Sequence, residues 1–282
     1  MFGQAYLSTM LWQIENVSSA FLFGSIHYSY LKIWPSVSDY TVEVFENSKH
    51  VYGEVDYSNS VTYNQFMHCI EQNNISFLTN KFSDKIDDNT FLDKYLILRA
   101  KQQNKTTNPL ESIETHCQTA KILYGTDYLS ENQPESDSND ENNFIYEYNC
   151  GKFDYATAMG MWHGFQKVYG TEVWMENYAM DMKRHREMAK RIHQALIENP
   201  NDKFFFIMGV LHLIGSDTVI SVLENDYYYT INRILTDRKK QKTILNCKED
   251  YGSGISHFDD PDQQAFWIVS FSSKIQDFSK SV

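Results

Sequence analysis

No apolar run in this chain of 282 residues approaches the roughly 18 to 20 needed to cross a bilayer, and Ala265-Phe266-Trp267-Ile268-Val269 is too short even for the core of a secretory leader. Met1-Phe2-Gly3-Gln4 has neither a basic region nor a cleavable apolar segment, so the expectation is either a cytosolic protein or a chain given without its leader. Positive charge is also short: a formal net charge of −12 disfavours binding to a phosphate backbone, and no nucleic-acid partner is expected. Cysteine is sparse. Cys69, Cys117, Cys150 and Cys247 are too widely spaced for a zinc ribbon; as four they allow two disulfides in any of three pairings, or free buried thiols. Asn16, Asn74 and Asn104 each begin an Asn-x-Ser/Thr sequon, which has meaning only if the chain is secreted.

What is present suits a globular fold with a sizeable core: 42% hydrophobic and 22% charged residues, with 19 Tyr and 18 Phe as the unusual feature. The surplus aromatics are read as core. The pattern that organises the chain is the run Phe21-Leu22-Phe23-Gly24-Ser25-Ile26-His27 and its echo Phe204-Phe205-Phe206-Ile207-Met208-Gly209-Val210-Leu211-His212. Each is a continuous apolar segment fit for a buried strand, closing on Gly-x-x-His. Each then leads to a helix and a second strand. In the first unit Ser38 caps a helix over 39–49, and His50-Val51-Tyr52-Gly53-Glu54-Val55-Asp56 is the strand; in the second Ser216 or Asp217 caps a helix through Glu224, and Tyr227-Tyr228-Tyr229-Thr230-Ile231 is the strand. The fold class that follows is α/β: a mixed central sheet flanked by helices, built from two related strand-GxxH-helix-strand units. Open α/β sheets bind ligands at the carboxyl ends of their strands, so both histidines and Glu54 are expected to converge there.

Elsewhere, residues 11–14 and 20–26 predict a hairpin that opens the domain, and helices are predicted over 61–72, 88–103, 111–123, 155–169 and 172–198. Asn108-Pro109 reads as a break. Residues 130–143 contain no apolar side chain and predict a disordered acidic loop. A single catalytic domain is expected over 11–235, followed by a tail over 236–282 to which no function is assigned.

With Gly24-x-x-His27, Glu54-x-Asp56 and Gly209-x-x-His212 in that order, the chain resembles the TraB superfamily and, within it, the TIKI metalloproteases. Leu11-Trp12, Trp34, the block 51–56, Glu111-Ser112-Ile113-Glu114-Thr115-His116-Cys117 and Tyr148-Asn149-Cys150-Gly151 carry the resemblance further, over about 11–231. Two departures stand out: the family's Arg-Asn pair falls on Arg184-His185, and His116 stands where glutamine is usual.

The resemblance implies a membrane-tethered glycoprotein on the extracellular face of the cell, a divalent-metal-dependent protease that removes a short amino-terminal piece from Wnt proteins and so lowers Wnt signalling. It implies manganese or cobalt; the spacing does not exclude zinc. His27, Glu54 and His212 form the expected ligand set, two imidazoles and a carboxylate that leave positions open for water and substrate. Glu54 can alternatively serve as general base. Arg184 is the remaining catalytic candidate, to stabilise an oxyanion or clamp a carboxylate, against the alternative of a solvated surface ion pair. Asp56, Glu111 and Glu114 are read either as groups that orient ligands or as solvated acids. His68, His116, His163, His185, His193 and His257 are read as structural. Two competing functions are a metal-independent esterase-like hydrolase and a non-catalytic peptide- or pheromone-binding module.

Overall fold

The chain enters its own sheet at once. A computed structural model describes residues 6–237 apart from 18, 57–58, 74–84, 89, 125–144, 146–147 and 151–153. The expectations for the acidic stretch, the tail beyond 237, Asn74, Cys247, His257 and the side chain of His163 lie outside the described residues. Strands β1 (Tyr6–Ile14) and β2 (Ala20–Ser25) form the predicted antiparallel hairpin, with Leu11 opposite Phe23 and Ile14 opposite Ala20. β2 is buried along its whole length. It lies parallel to β5 (Phe204–Gly209), paired from Ala20 and Phe204 to Ser25 and Gly209. The two Gly-x-x-His runs are therefore parallel neighbours, offset by one residue so that Gly209 faces Ser25 and Gly24 faces Met208. Strands central in a parallel sheet are covered on both faces, which is why each run is apolar throughout.

β3 (His50–Gly53), β4 (Thr106–Pro109) and β6 (Ile231–Asp237) complete a six-stranded mixed sheet of order β4-β3-β5-β2-β1-β6. β4, β3, β5 and β2 run parallel, while β1 is antiparallel to both β2 and β6. The two units are both crossovers between parallel strands. The first, from β2 to β3, steps over β5; the second, from β5 to β6, steps over β2 and β1.

The helices are α1 (Tyr30–Ile33), α2 (Asp39–Asn47), α3 (Ser60–Gln72), α4 (Leu92–Gln102), α5 (Ile113–Tyr124), α6 (Tyr155–Glu198) and α7 (Val219–Tyr227). Ser38 caps α2 as expected, its hydroxyl accepting from the Thr41 N–H. α6 breaks at Gly170, whose φ of 81° is open to glycine and strained for other residues, and this divides it into the two predicted helices. Three expectations are corrected. The cap of α7 is Thr218, in a reciprocal box with Ser221, not Ser216 or Asp217. Helix α7 runs on to Tyr227, Tyr228 closes it in the left-handed region, and β6 begins only at Ile231. Asn108-Pro109 ends an edge strand, where proline costs no ladder bond, and does not merely break a helix.

Aromatic side chains fill the layer between sheet and helices. Phe205 stacks on Phe23 with ring centroids 5.6 Å apart and meets Phe45 of α2 edge-on at 5.3 Å, while Trp34 closes against both Phe23 and Phe45. Cys69 of α3 is bonded to Cys117 of α5, and Cys150 is also disulfide-bonded. Among the described residues no helix is long and apolar enough to cross a membrane.

Candidate active site

The carboxyl ends of the four parallel strands deliver one candidate group each, in sheet order. Glu111 follows β4, Glu54 follows β3, His212 ends the 3-10 turn Val210–His212 after β5, and His27 lies two residues beyond β2. Backbone pairing continues past the strand ends: the Glu111 N–H donates to the Glu54 carbonyl at 3.1 Å, which holds the two acids side by side. Helix α6 crosses this edge and supplies Asp181, Arg184 and His185.

Arg184 is 6% exposed, which rules out the solvated surface pair. Its guanidinium makes four hydrogen bonds to three carboxylates: Nε to Glu111 Oε2 at 2.8 Å, Nη2 to Glu111 Oε1 and Glu54 Oε2 at 3.1 and 3.0 Å, and Nη1 to Asp181 Oδ1 at 3.0 Å. The fork fits this task where a point charge would not. Glu54 is thereby fixed at one oxygen by Arg184 and at the other by the Gly209 N–H at 2.5 Å. Glu111 also accepts from His116 Nδ1 at 2.6 Å. Burial alone would raise the Glu111 carboxyl, but Arg184 and His116 outweigh it and hold it down at about 2. Asp181 moves the other way, raised by burial that Arg184 only partly offsets.

His212, 8% exposed, presents Nε2 to Glu54 Oε1 at 3.6 Å, beyond hydrogen-bond reach. On its far side Nδ1 meets His185 Nε2 at 2.8 Å, and His185 Nδ1 meets the Asp217 carbonyl at 2.5 Å. Burial first, then the nearby charge of Arg184, keeps His212 well below the ordinary histidine range; burial pushes His185 down to about 4 despite its bond to the Asp217 carbonyl. Both rings are neutral at pH 7. His27 lies nearer solvent, with 38% of its side chain exposed, its ring against Phe91 and Nδ1 3.5 Å from Asp93 Oδ2. Burial opposes its protonation, but the Asp93 carboxylate more than offsets this and holds His27 above its usual value.

Two arrangements could hold a cation. The ligand atoms of Glu54, Glu111 and His116 lie within 4.8 Å of one another. That trio is already saturated: both Glu111 oxygens are taken by Arg184 and His116. The better fit is Glu54 Oε1 with His212 Nε2. Two ligands about 2.1 Å from one ion stand roughly 3 to 3.5 Å apart, close to the spacing seen, and a carboxylate oxygen facing a neutral imidazole nitrogen suits a cation between them. The expected set is thus brought together in two of its members. His27 does not close a trio with them within 4.8 Å.

Of the other sequence candidates, Asp56 is paired with Lys101 at 2.8 Å and Glu114 is exposed. His68 bonds Gln72 and His193 bonds Tyr229, as structural histidines do. His116 and His185, also read as structural, in fact touch the site. The signal was there for both, since they are the two departures from the family pattern. Asp93 and Asp181 carried no signal; they meet the site only through the packing of α4 and α6.

A strand-end cluster of histidine and carboxylate, braced by a buried arginine, defines an α/β protein equipped to hold a divalent cation at its sheet edge. Residues 71–231, more than half of the chain, match the TraB/PrgY/gumN family, and the chain belongs to that family. It is similar to Metalloprotease TIKI1 of Xenopus tropicalis, 20% identical over 87% of this chain and 66% of that protein. Metalloprotease TIKI2 of Xenopus tropicalis is 21% identical over 80% of the chain and 60% of the relative, and Metalloprotease TIKI1 of Homo sapiens 19% over 80% and 62%. The chain thus spans between 60% and 66% of the length of these relatives. No solved structure matches it.

Proposed function

We propose that this chain is a divalent-metal-dependent protease of the TIKI type, with Glu54 and His212 as metal ligands and His27 as the acid of the reaction. The observation that carries this reading is the pair of Glu54 Oε1 and His212 Nε2, on side chains only 11% and 10% exposed, facing each other at 3.6 Å without a hydrogen bond. Its similarity to the TIKI metalloproteases supports it. The ion, manganese or cobalt with zinc as an alternative, would supply Lewis-acid polarisation of a carbonyl and activation of water. The chain's own residues do the positioning. Arg184 and the Gly209 N–H lock both oxygens of Glu54, and Arg184 offsets the surplus of carboxylates that an inflexible site must keep charged. His27, more exposed than the Glu54–His212 pair and with Nδ1 toward Asp93, can hold a proton for the leaving amine. The substrate we propose is the amino terminus of a secreted Wnt-type protein, met at the extracellular face of the membrane.

The test is mass spectrometry of a Wnt protein's amino terminus after incubation with this chain, with manganese, with chelator, and with His212→Ala. A short peptide should be lost only with metal and intact His212. Absence of cleavage by folded protein that binds manganese would overturn the Wnt substrate, and turnover of small esters unaffected by chelator would overturn the metalloprotease in favour of an esterase.

A further inference from the structure

We propose that His185 is a positioning residue that sets the tautomer of His212, accepting a hydrogen bond from Nδ1 so that an unprotonated Nε2 faces Glu54. The inference rests on reading Glu54 and His212 as ligands, and it follows from hydrogen-bond direction. A carbonyl only accepts, so at 2.5 Å the Asp217 carbonyl requires the proton of His185 to sit on Nδ1. A neutral imidazole has one N–H, so His185 Nε2 is an acceptor. The 2.8 Å contact with His212 Nδ1 needs one proton, and His212 must supply it. Neutral His212 then has none left for Nε2, the atom opposite Glu54. A doubly protonated His185 would reverse the assignment, but it would place a cation on a side chain 2% exposed, next in sequence to the buried guanidinium of Arg184.

The residue that supplies this carbonyl is anchored through its side chain. Tyr178 Oη and Ser216 Oγ both donate to Asp217 Oδ2, at 2.8 and 2.9 Å. Tyr178 and His185 are seven residues apart, two turns on one face of α6, so the helix grips the turn before α7 at two points. The arrangement transmits the position of α6 to the ring that offers the ligand atom. Histidine ligands are generally oriented through their second nitrogen, and the loss of such a partner typically lowers metal affinity 10- to 100-fold.

The test uses 15N-labelled protein without metal, with the His212 ring signals identified by their loss in His212→Gln. Long-range proton–nitrogen correlation should show His212 protonated at Nδ1 and unprotonated at Nε2. His185→Phe keeps a ring but neither hydrogen bond; it should return His212 to a mixture of tautomers and weaken manganese binding about 10- to 100-fold. His185→Gln can donate to Asp217 through its amide and accept from His212 through its oxygen, and should restore both readouts. A proton on His212 Nε2 in the unaltered protein would overturn the proposal, as would unchanged tautomer and affinity in a folded His185→Phe. If the metal-free tautomer is as stated and manganese does not bind, the metal reading fails while the positioning role stands.

Discussion

Arg184 and its partners show how much one buried side chain carries. Glu111 is 1% exposed, and only Arg184 and His116 make its charge tolerable there. Because its carboxyl is held at about 2, below the ordinary value of 4.5, the pairing stabilises the fold fully above pH 4.5 and is lost as the pH falls toward 2. His185, lowered from 6.5 to about 4, also favours the fold at higher pH, and its contribution is lost as the pH falls from 6.5 to 4. The two windows barely overlap. Urea denaturation across this range should show parental stability falling in both, whereas Glu111→Gln flattens the slope below pH 4.5 and leaves the slope from 6.5 to 4 in place. An unchanged acid limb in Glu111→Gln would remove Glu111 from this account. The importance of the acid was only half legible in the sequence: it stood among residues that either orient ligands or are solvated, and burial decided between them.

The glycines of the two Gly-x-x-His units serve neighbouring elements rather than their own turns. A Cβ on Gly24 would stand 3.0 to 3.2 Å from Val210, the last of these contacts being with Cβ and the middle one with Cα, so backbone would have to move. A Cβ on Gly209 would stand 3.2 Å from Glu54 Oε1 and 3.6 Å from the His212 ring. The same substitution should therefore do different things in the two units. Gly24→Ala should destabilise by about 1 to 3 kcal/mol in chemical denaturation, as overpacking does. Gly209→Ala should chiefly displace the Glu54 carboxylate, weakening manganese binding measured by calorimetry more than it lowers stability. The opposite ranking would mean that the second glycine is a bend and nothing more. At this scale the sequence was most informative where periodicity and capping agreed, as in β2, β5 and α2. It misled at 227–231, where tyrosine favours a strand locally but the Thr218 cap and the buried Val219 and Leu223 draw α7 on to Tyr227.

Across the whole molecule, α3 and α5 are tied by Cys69–Cys117, a bridge across 48 residues, and α5 follows directly on Glu111. Closing a loop of that length constrains the unfolded chain by about 4 kcal/mol in the entropic model. Replacing both cysteines by serine should lower stability by a comparable amount in denaturant, and a change below about 1 kcal/mol would show that the bridge merely records proximity. By itself the sequence determined the two apolar runs, their terminal glycines and histidines, the α/β alternation and the residue types from which a cation site can be made, because these depend on local periodicity and side-chain chemistry. Only the tertiary structure decided that β5 inserts between β2 and β3, which lines up Glu111, Glu54, His212 and His27 along one sheet edge. It alone paired Cys69 with Cys117, buried Arg184 among three acids and set His185 against His212. Those outcomes join residues far apart in the chain through strand order and helix packing, and local pattern does not encode such contacts.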